Sequence, residues 1–393
     1  MLISISLILL VGMAAGWLCS KIKIPSLLGM IITGIILGPY ALNLIDTSIL
    51  DISAELRKIA LIIILMRAGL SLDLRDLKKV GRPAILMCFV PACFEMAGMI
   101  LIAPKLLNIT TLEAAIMGAV VAAVSPAVIV PKMIKLMDQG YGTKQSIPQL
   151  ILAGASVDDV FVIVMFTAFT GLAKGQNISA LSFVQIPITI ILGIILGLIV
   201  GIILVQFFKK IHIRDTAKVV ILLCIAFILV VLEESKMVII PFSGLIAVMC
   251  VGIALQKYHQ QLAVRLAIRF SKLWVTAEII LFVLVGATVD LNYALIAGIP
   301  AIILIFIVTA CRMIGVFICL LKTKLNMKER LFCMIGYTPK ATVQAAIGGV
   351  PLAMGLSCGN IVLTVAVLSI LITAPIGAFF IDISYKKFLQ KAA

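Results

Sequence analysis

Apolar runs long enough to cross a lipid bilayer recur from one end of this 393-residue chain to the other. A spanning helix needs about 20 predominantly apolar residues, because the hydrocarbon layer is about 30 Å thick. Backbone polar groups in that layer have no water to bond, so each run must satisfy them internally. With 63% hydrophobic and 12% charged residues, against about 25% charged in soluble domains, the chain reads as one polytopic membrane protein and not as a soluble enzyme. No connection between runs is long enough for an extramembrane domain.

Spanning-length windows predict thirteen helices, near residues 2–19, 25–44, 54–72, 80–104, 112–136, 147–173, 181–208, 216–232, 238–255, 274–289, 294–321, 330–354 and 360–384. The apolar start MLISISLILLVGMAAGW lacks a basic leading segment and a clear cleavage site, and reads as the first span. Of the 32 Lys and Arg, Arg57, Lys58, Lys105, Lys174 and Lys236 flank the loops after even-numbered spans, and Arg67, Arg312 and Lys340 fall inside spans. All the others lie after odd-numbered spans or in the C-terminal tail. The positive-inside rule then predicts an N-terminus outside and a C-terminus in the cytoplasm. The net charge of +15 is accounted for by this asymmetry and implies no nucleic-acid partner. The nine cysteines form no CxxC pair, and His212 and His259 both sit in basic loops, so no haem, zinc site or other cofactor is expected. The basic amphipathic stretch at 257–272 predicts a helix lying on the cytoplasmic surface.

GLSLDL at 69–74 returns as GATVDL at 286–291, and IPSLLGMIITG at 24–34 has a weaker echo in IPFSGLIAVMCVG at 240–252. The spacing predicts that helices 1–6 (residues 1–173) repeat as helices 8–13 (residues 216–384), with helix 7 (181–208) as linker. A shift of seven helices gives the halves opposite orientations, and inverted repeats mark secondary transporters. The same spacing relates two intramembrane charges of opposite sign, Glu95 and Arg312, which are expected to form a structural ion pair near the pseudo-twofold axis. Arg67 and Glu278 are further intramembrane charges, expected to bridge helices 3 and 10.

Two repeat-related helices carry breaks. AAVSPAVIVPK in helix 5 contains Pro126 and Pro131, and GYTPKATVQAAIGGVP in helix 12 contains Pro339. Proline removes a backbone donor and clashes with the preceding turn. Paired interruptions in corresponding helices point to a transporter's midplane site. Lys340 follows the second break directly, and helix 6 supplies two adjacent carboxylates, Asp158 and Asp159. Each would cost about 2.5–3.5 kcal/mol at mid-membrane. Neighbours on a helix point about 100° apart, so one can face Lys340 while the other faces a wet cavity. A carboxylate in a partly dry cavity binds a proton, and a small cation competes for the same oxygens. Ser125 and backbone carbonyls freed by the break are expected to complete the cation's shell.

GASVDDV, VVAAVSPAVIVP and YTPKATVQAAIGG resemble the cation/proton antiporter superfamily, in its paired-aspartate, electrogenic branch. ILMRAGLSLD and RFSKLWVTAEIILFVLVGATVD are closer still to its NHA-type sodium/proton antiporters. The resemblance implies an all-α fold of about thirteen helices in two inverted repeats with crossed broken helices. It also implies a homodimer in which a core domain (helices 4–6 and 11–13) moves like an elevator against a dimer domain (helices 1–3 and 8–10). Asp159 matches the aspartate that takes the ion, Asp158 the one associated with the helix-12 lysine, Lys340 that lysine, and Glu95 and Arg312 the intramembrane ion pair. The chain departs from the best-known bacterial members in having Val-Ser-Pro at 124–126 where they carry Thr-Asp-Pro.

The expected function is thus exchange of Na⁺ or Li⁺ for protons across a cell membrane, a bacterial inner membrane, with no cofactor. The alternative is sodium-coupled symport of an organic solute on a related fold. The carboxylate–lysine combination disfavours symport, which calls for polar side chains around the breaks.

Overall fold

The computed structural model describes residues 1–22, 24–71, 81–173, 180–211, 213–234, 242–289 and 291–391. Their long elements are all helical: α1 (Leu2–Lys21), α2 (Ser26–Leu37), α3 (Thr47–Asp51), α4 (Ser53–Ser71), α5 (Arg82–Met87), α6 (Val90–Leu107), α7 (Thr111–Val121), α8 (Pro126–Asp138) and α9 (Ile147–Ala173) come first. There follow α10 (Ala180–Lys210), α11 (Asp215–Glu234), α12 (Gly244–Tyr258), α13 (Gln260–Ala287), α14 (Leu291–Cys319), α15 (Met327–Gly336), α16 (Thr342–Ile347), α17 (Val350–Ala353) and α18 (Gly359–Phe388). Among the described residues nine segments are long and apolar enough to cross a membrane, and Ser26–Leu37, Gly244–Tyr258 and Thr342–Ala353 are shorter apolar helices.

The expected helix 4 is divided at Cys88–Phe89, just ahead of Pro91. Capping boxes open the helices that lead into both breaks: Thr110 with Glu113 on α7, and Asn326 with Glu329 on α15. The surface helix expected at 257–272 is not a separate element, because α13 runs unbroken from Gln260 to Ala287. Leu262, Ala263, Leu266 and Phe270 are fully buried and form a stripe at helical spacing. Protein, rather than a bilayer surface, covers the apolar face that the sequence assigned to lipid.

The chain divides into two compact units, one comprising Met1–Arg57, Asp76–Ala173 and Ile279–Ala393, the other Lys58–Arg75 and Lys174–Glu278. In the first, α6 packs along α14. Gly98 lies against Cys311 and Gly315 against Pro91 and Phe94. Residues 98 and 315, like 94 and 311, stand 217 positions apart, the separation of Glu95 from Arg312. The α6–α14 contact is therefore symmetric about the repeat. A second correspondence involves the leading glycines of the two G-x-x-x-D-L motifs. Within the first unit Gly286 sits on the Ile31 carbonyl and Gly34; within the second, Gly69 sits on the Met249 carbonyl and Gly252. Only a residue without Cβ permits so close a backbone approach. Leu72–Leu74, Asp290 and Ile240–Pro241 of the repeated motifs, with Lys174, Lys236 and His212, lie outside the described residues.

Gly34→Ala would drive a methyl into the Val283 carbonyl and crowd the Ala287 nitrogen. Overpacking of this kind costs about 1–3 kcal/mol. Gly171, with open space around its Cα, is the control. Thermal unfolding of the purified protein should show a lowered melting temperature for Gly34→Ala and none for Gly171→Ala.

Candidate functional site

Both expected breaks are present. Between α7 and α8 the four residues Ala122–Ser125 leave the helix, and between α15 and α16 residues Tyr337–Ala341 do the same. Pro126 opens α8 at its first position, where a missing N–H costs nothing. The two breaks meet where the Ser125 N–H donates to the Pro339 carbonyl at 2.8 Å. Buried backbone groups must find partners, and here most of the partners are side chains. The Val121 carbonyl accepts from Lys340 Nζ at 2.8 Å and Gln344 Nε2 at 3.0 Å. The Ala122 carbonyl accepts from Arg312 Nη1, the Ala123 carbonyl from Gln344 Nε2 at 2.7 Å, and the Val124 N–H donates to Asp158 Oδ2 at 2.9 Å. Across the site the Tyr337 carbonyl accepts from Arg312 Nε at 2.8 Å, and the Lys340 N–H donates to Thr373 Oγ1 at 3.1 Å.

The charges form one network. Arg312 reaches Glu95 at 3.0 Å and Asp158 at 2.6 Å, and Lys340 reaches Glu95 at 2.6 Å. All four side chains are fully buried. The structure thus brings Glu95 and Arg312 together, and distributes the other partners differently from the sequence expectation. Asp158 is held by Arg312 and a backbone amide, and Lys340 is held by Glu95 and the Val121 carbonyl. The Val121, Ala122 and Ala123 carbonyls, expected to be free for a cation, already accept from Lys340, Gln344 and Arg312.

Two bases face three acids in this cluster, and the carboxylate left over is Asp159. Its neighbour Asp158 is turned into the network, whereas Asp159 is partly exposed and its buried Oδ1 has no hydrogen-bond partner. Asp158 Oδ1, Ser125 Oγ and Gln344 Oε1 are buried and unpartnered too. Arg67 and Glu278 lie within electrostatic range of one another, but no direct ion pair joins them among the described residues, and Glu278 takes a hydrogen bond from the Trp274 side chain.

Two residues of the site carried no charge to betray them. Tyr337 is fully buried, donates to the Met87 carbonyl at 3.0 Å and lies 5.1 Å under the Arg312 guanidinium. Its hydroxyl occupies the space a Cβ at Gly154 would need, which explains the glycine that opens GASVDDV. Gln344 lies in the first turn of α16, directly past the break; its closeness in sequence to Pro339 and Lys340 was the available signal.

The family model described as sodium/hydrogen exchanger, transmembrane, matches residues 5–384. Sodium/hydrogen exchanger 9B2 of Homo sapiens is 31% identical over 385 residues, covering 94% of this chain and 70% of that protein. Sodium/hydrogen exchanger 9B1 of Mus musculus is 31% identical over 387 residues, covering 94% and 67%. The structure of the sodium proton antiporter MjNhaP1 from Methanocaldococcus jannaschii at pH 8 matches with a TM-score of 0.86 at 20% identity, over 98% of this chain and 97% of that one. That last likeness is one of fold.

Arg312 neutralises two carboxylates and serves two carbonyls, so Arg312→Ala leaves buried charges uncompensated at a cost of about 3–5 kcal/mol. Lys340→Ala leaves Glu95 its arginine and the Val121 carbonyl its glutamine, and should cost distinctly less. Melting temperatures of the two variants in the same detergent check this order; the reverse order would contradict the network.

Proposed function

The chain belongs to the sodium/hydrogen exchanger family, and we propose that Asp159 is the group at which its two ions compete. The protein is a multi-pass membrane transporter with the sodium/proton antiporter fold. It exchanges Na⁺ for protons. The observation that carries the role of Asp159 is the charge imbalance at the crossed breaks: Glu95 and Asp158 are matched by Arg312 and Lys340, and among the described residues no ion pair matches Asp159.

An unmatched carboxylate in a partly dry site must take a proton or a cation. Deprotonated, Asp159 holds Na⁺ or Li⁺ with help from Ser125 and the free oxygen of Asp158; protonated, it returns without the cation. Coupling follows because either partner relieves the same charge. The charge network beside it has a structural task as well. It fixes the two half-helix ends at their crossing so that they travel together, which supports an elevator-like motion of a core built on α5–α9 and α14–α18. In this reading that core moves against a dimer domain in a homodimer, and the Arg67–Glu278 proximity is a brace inside the dimer domain. The asymmetry of Lys and Arg between loops supports an N-terminus outside and a C-terminus in the cytoplasm.

Electrogenic exchange needs a second proton carrier besides Asp159. Lys340, a fully buried ammonium beside Glu95 and the Val121 carbonyl, supplies it. Organic-solute symport finds no support among the family and relatives that the chain matches.

In proteoliposomes with an imposed pH gradient, Asp159→Asn should abolish sodium-driven proton movement while the protein remains folded. Full proton flux in that variant would remove Asp159 from the ion path. In the same vesicles Lys340→Met should make residual exchange insensitive to membrane potential, in contrast to the parent protein. An unchanged potential dependence would take Lys340 out of proton transfer.

A further inference from the structure

Gln344 is fully buried on α16, and its amide orientation is set by its partners. Nε2 donates to two carbonyls, Val121 and Ala123; a carbonyl oxygen accepts but never donates, so the nitrogen must face them. Oε1 is then turned from those two carbonyls and has no hydrogen-bond partner. An orphaned buried acceptor is destabilising and calls for a ligand or a use.

Its surroundings indicate the ligand. Ala123, Val124 and Ser125 are consecutive. Gln344 holds the first, Asp158 holds the second, and the hydroxyl of the third is itself unpartnered. Around this one segment lie the unpartnered oxygens Asp158 Oδ1, Ser125 Oγ and Gln344 Oε1, with Asp159 Oδ1 on the next residue of α9. Only the serine hydroxyl among them can donate. Such a donor deficit suits a hard cation, which takes oxygens directly and needs no hydrogens. The Val121, Ala122 and Ala123 carbonyls are already engaged, which leaves Ser125 Oγ and Gln344 Oε1 as neutral side-chain oxygens at the break.

We propose that Gln344 is a direct ligand of the transported cation, its amide nitrogen clamping the broken helix while its amide oxygen completes the coordination shell and tunes the choice between Na⁺ and Li⁺. Selectivity in such a shell depends on the number and field strength of its oxygens. A neutral amide oxygen favours the larger, less strongly hydrated Na⁺ over Li⁺ relative to an anionic one. The inference rests on the antiport reading for the cation's identity, but it concerns binding and is tested at equilibrium.

The test separates the two ends of the amide. Sodium and lithium affinities are read from cation-dependent shifts in melting temperature of the purified protein, for the parent, Gln344→Met and Gln344→Glu. Methionine keeps the length and removes both functions; glutamate keeps an oxygen and loses the paired donors. Gln344→Met should weaken Na⁺ binding about tenfold or more, the equivalent of about 1.4 kcal/mol. Gln344→Glu should still bind, with its Na⁺-to-Li⁺ affinity ratio moved about fivefold toward Li⁺. Unchanged affinity in Gln344→Met overturns the proposal. So does an equal loss in both variants, which would make Gln344 a clamp alone. If Gln344→Met does not fold, the affinity ratio in Gln344→Glu decides, and an unchanged ratio is the overturning result. Cation binding by the parent without sodium-driven proton flux in vesicles would instead sink the antiport reading and leave Gln344 in place.

Discussion

Breaking two helices inside a membrane frees backbone groups that neither water nor lipid can bond, and everything at the centre of this protein answers that demand. One direct backbone bond, Ser125 to Pro339, ties the breaks together. The Val121, Ala122, Ala123 and Tyr337 carbonyls are served by Lys340, Gln344 and Arg312. Cations are the natural donors here, because a carbonyl at a helix end carries the partial negative charge of the macrodipole. Each buried cation then needs an anion, and Glu95 and Asp158 supply it. The ion pairs follow from the breaks, rather than the breaks being decorated by ion pairs.

Once that account is balanced, a single acid is left over. Asp159 follows Asp158 on α9 and so turns about 100° away from the network. Its Oδ1 is unpartnered, as are Asp158 Oδ1, Ser125 Oγ and Gln344 Oε1. A rigid frame and one unmatched carboxylate make an exchanger: the frame keeps the geometry in both directions of travel, the carboxylate obliges one ion to leave when the other arrives, and Lys340 within the frame carries the second proton. The pseudo-twofold packing of α6 on α14, glycine against partner helix on both sides of the axis, gives the frame its stiffness.

Much of this was legible in the sequence, and the residues show why the rest was not. Glu95 and Arg312 could be paired because their separation equals the repeat, and symmetry-related positions of neighbouring helices meet at the axis. The breaks could be located because Pro126 must stand at a helix start and Pro339 cannot continue one. The partner of Lys340 could not be read, because four charges in one network allow several pairings and the choice between Glu95 and Asp158 rests on helix rotation. Gln344 carries no charge to mark it, although it stands in the first turn after the break at Pro339. The start of α13 was misjudged because a basic amphipathic stretch looks the same whether its apolar stripe meets lipid or protein.

The account stands or falls on competition between a proton and a cation for one carboxylate. Calorimetric titration of the purified protein with sodium, repeated in buffers of different ionisation enthalpy near the carboxylate's protonation range, measures that competition without any transport assay. The account predicts a binding heat that depends on the buffer, because each sodium that binds expels a proton for the buffer to take up. A heat that is identical in every buffer would mean that sodium binds without displacing a proton, and would contradict it.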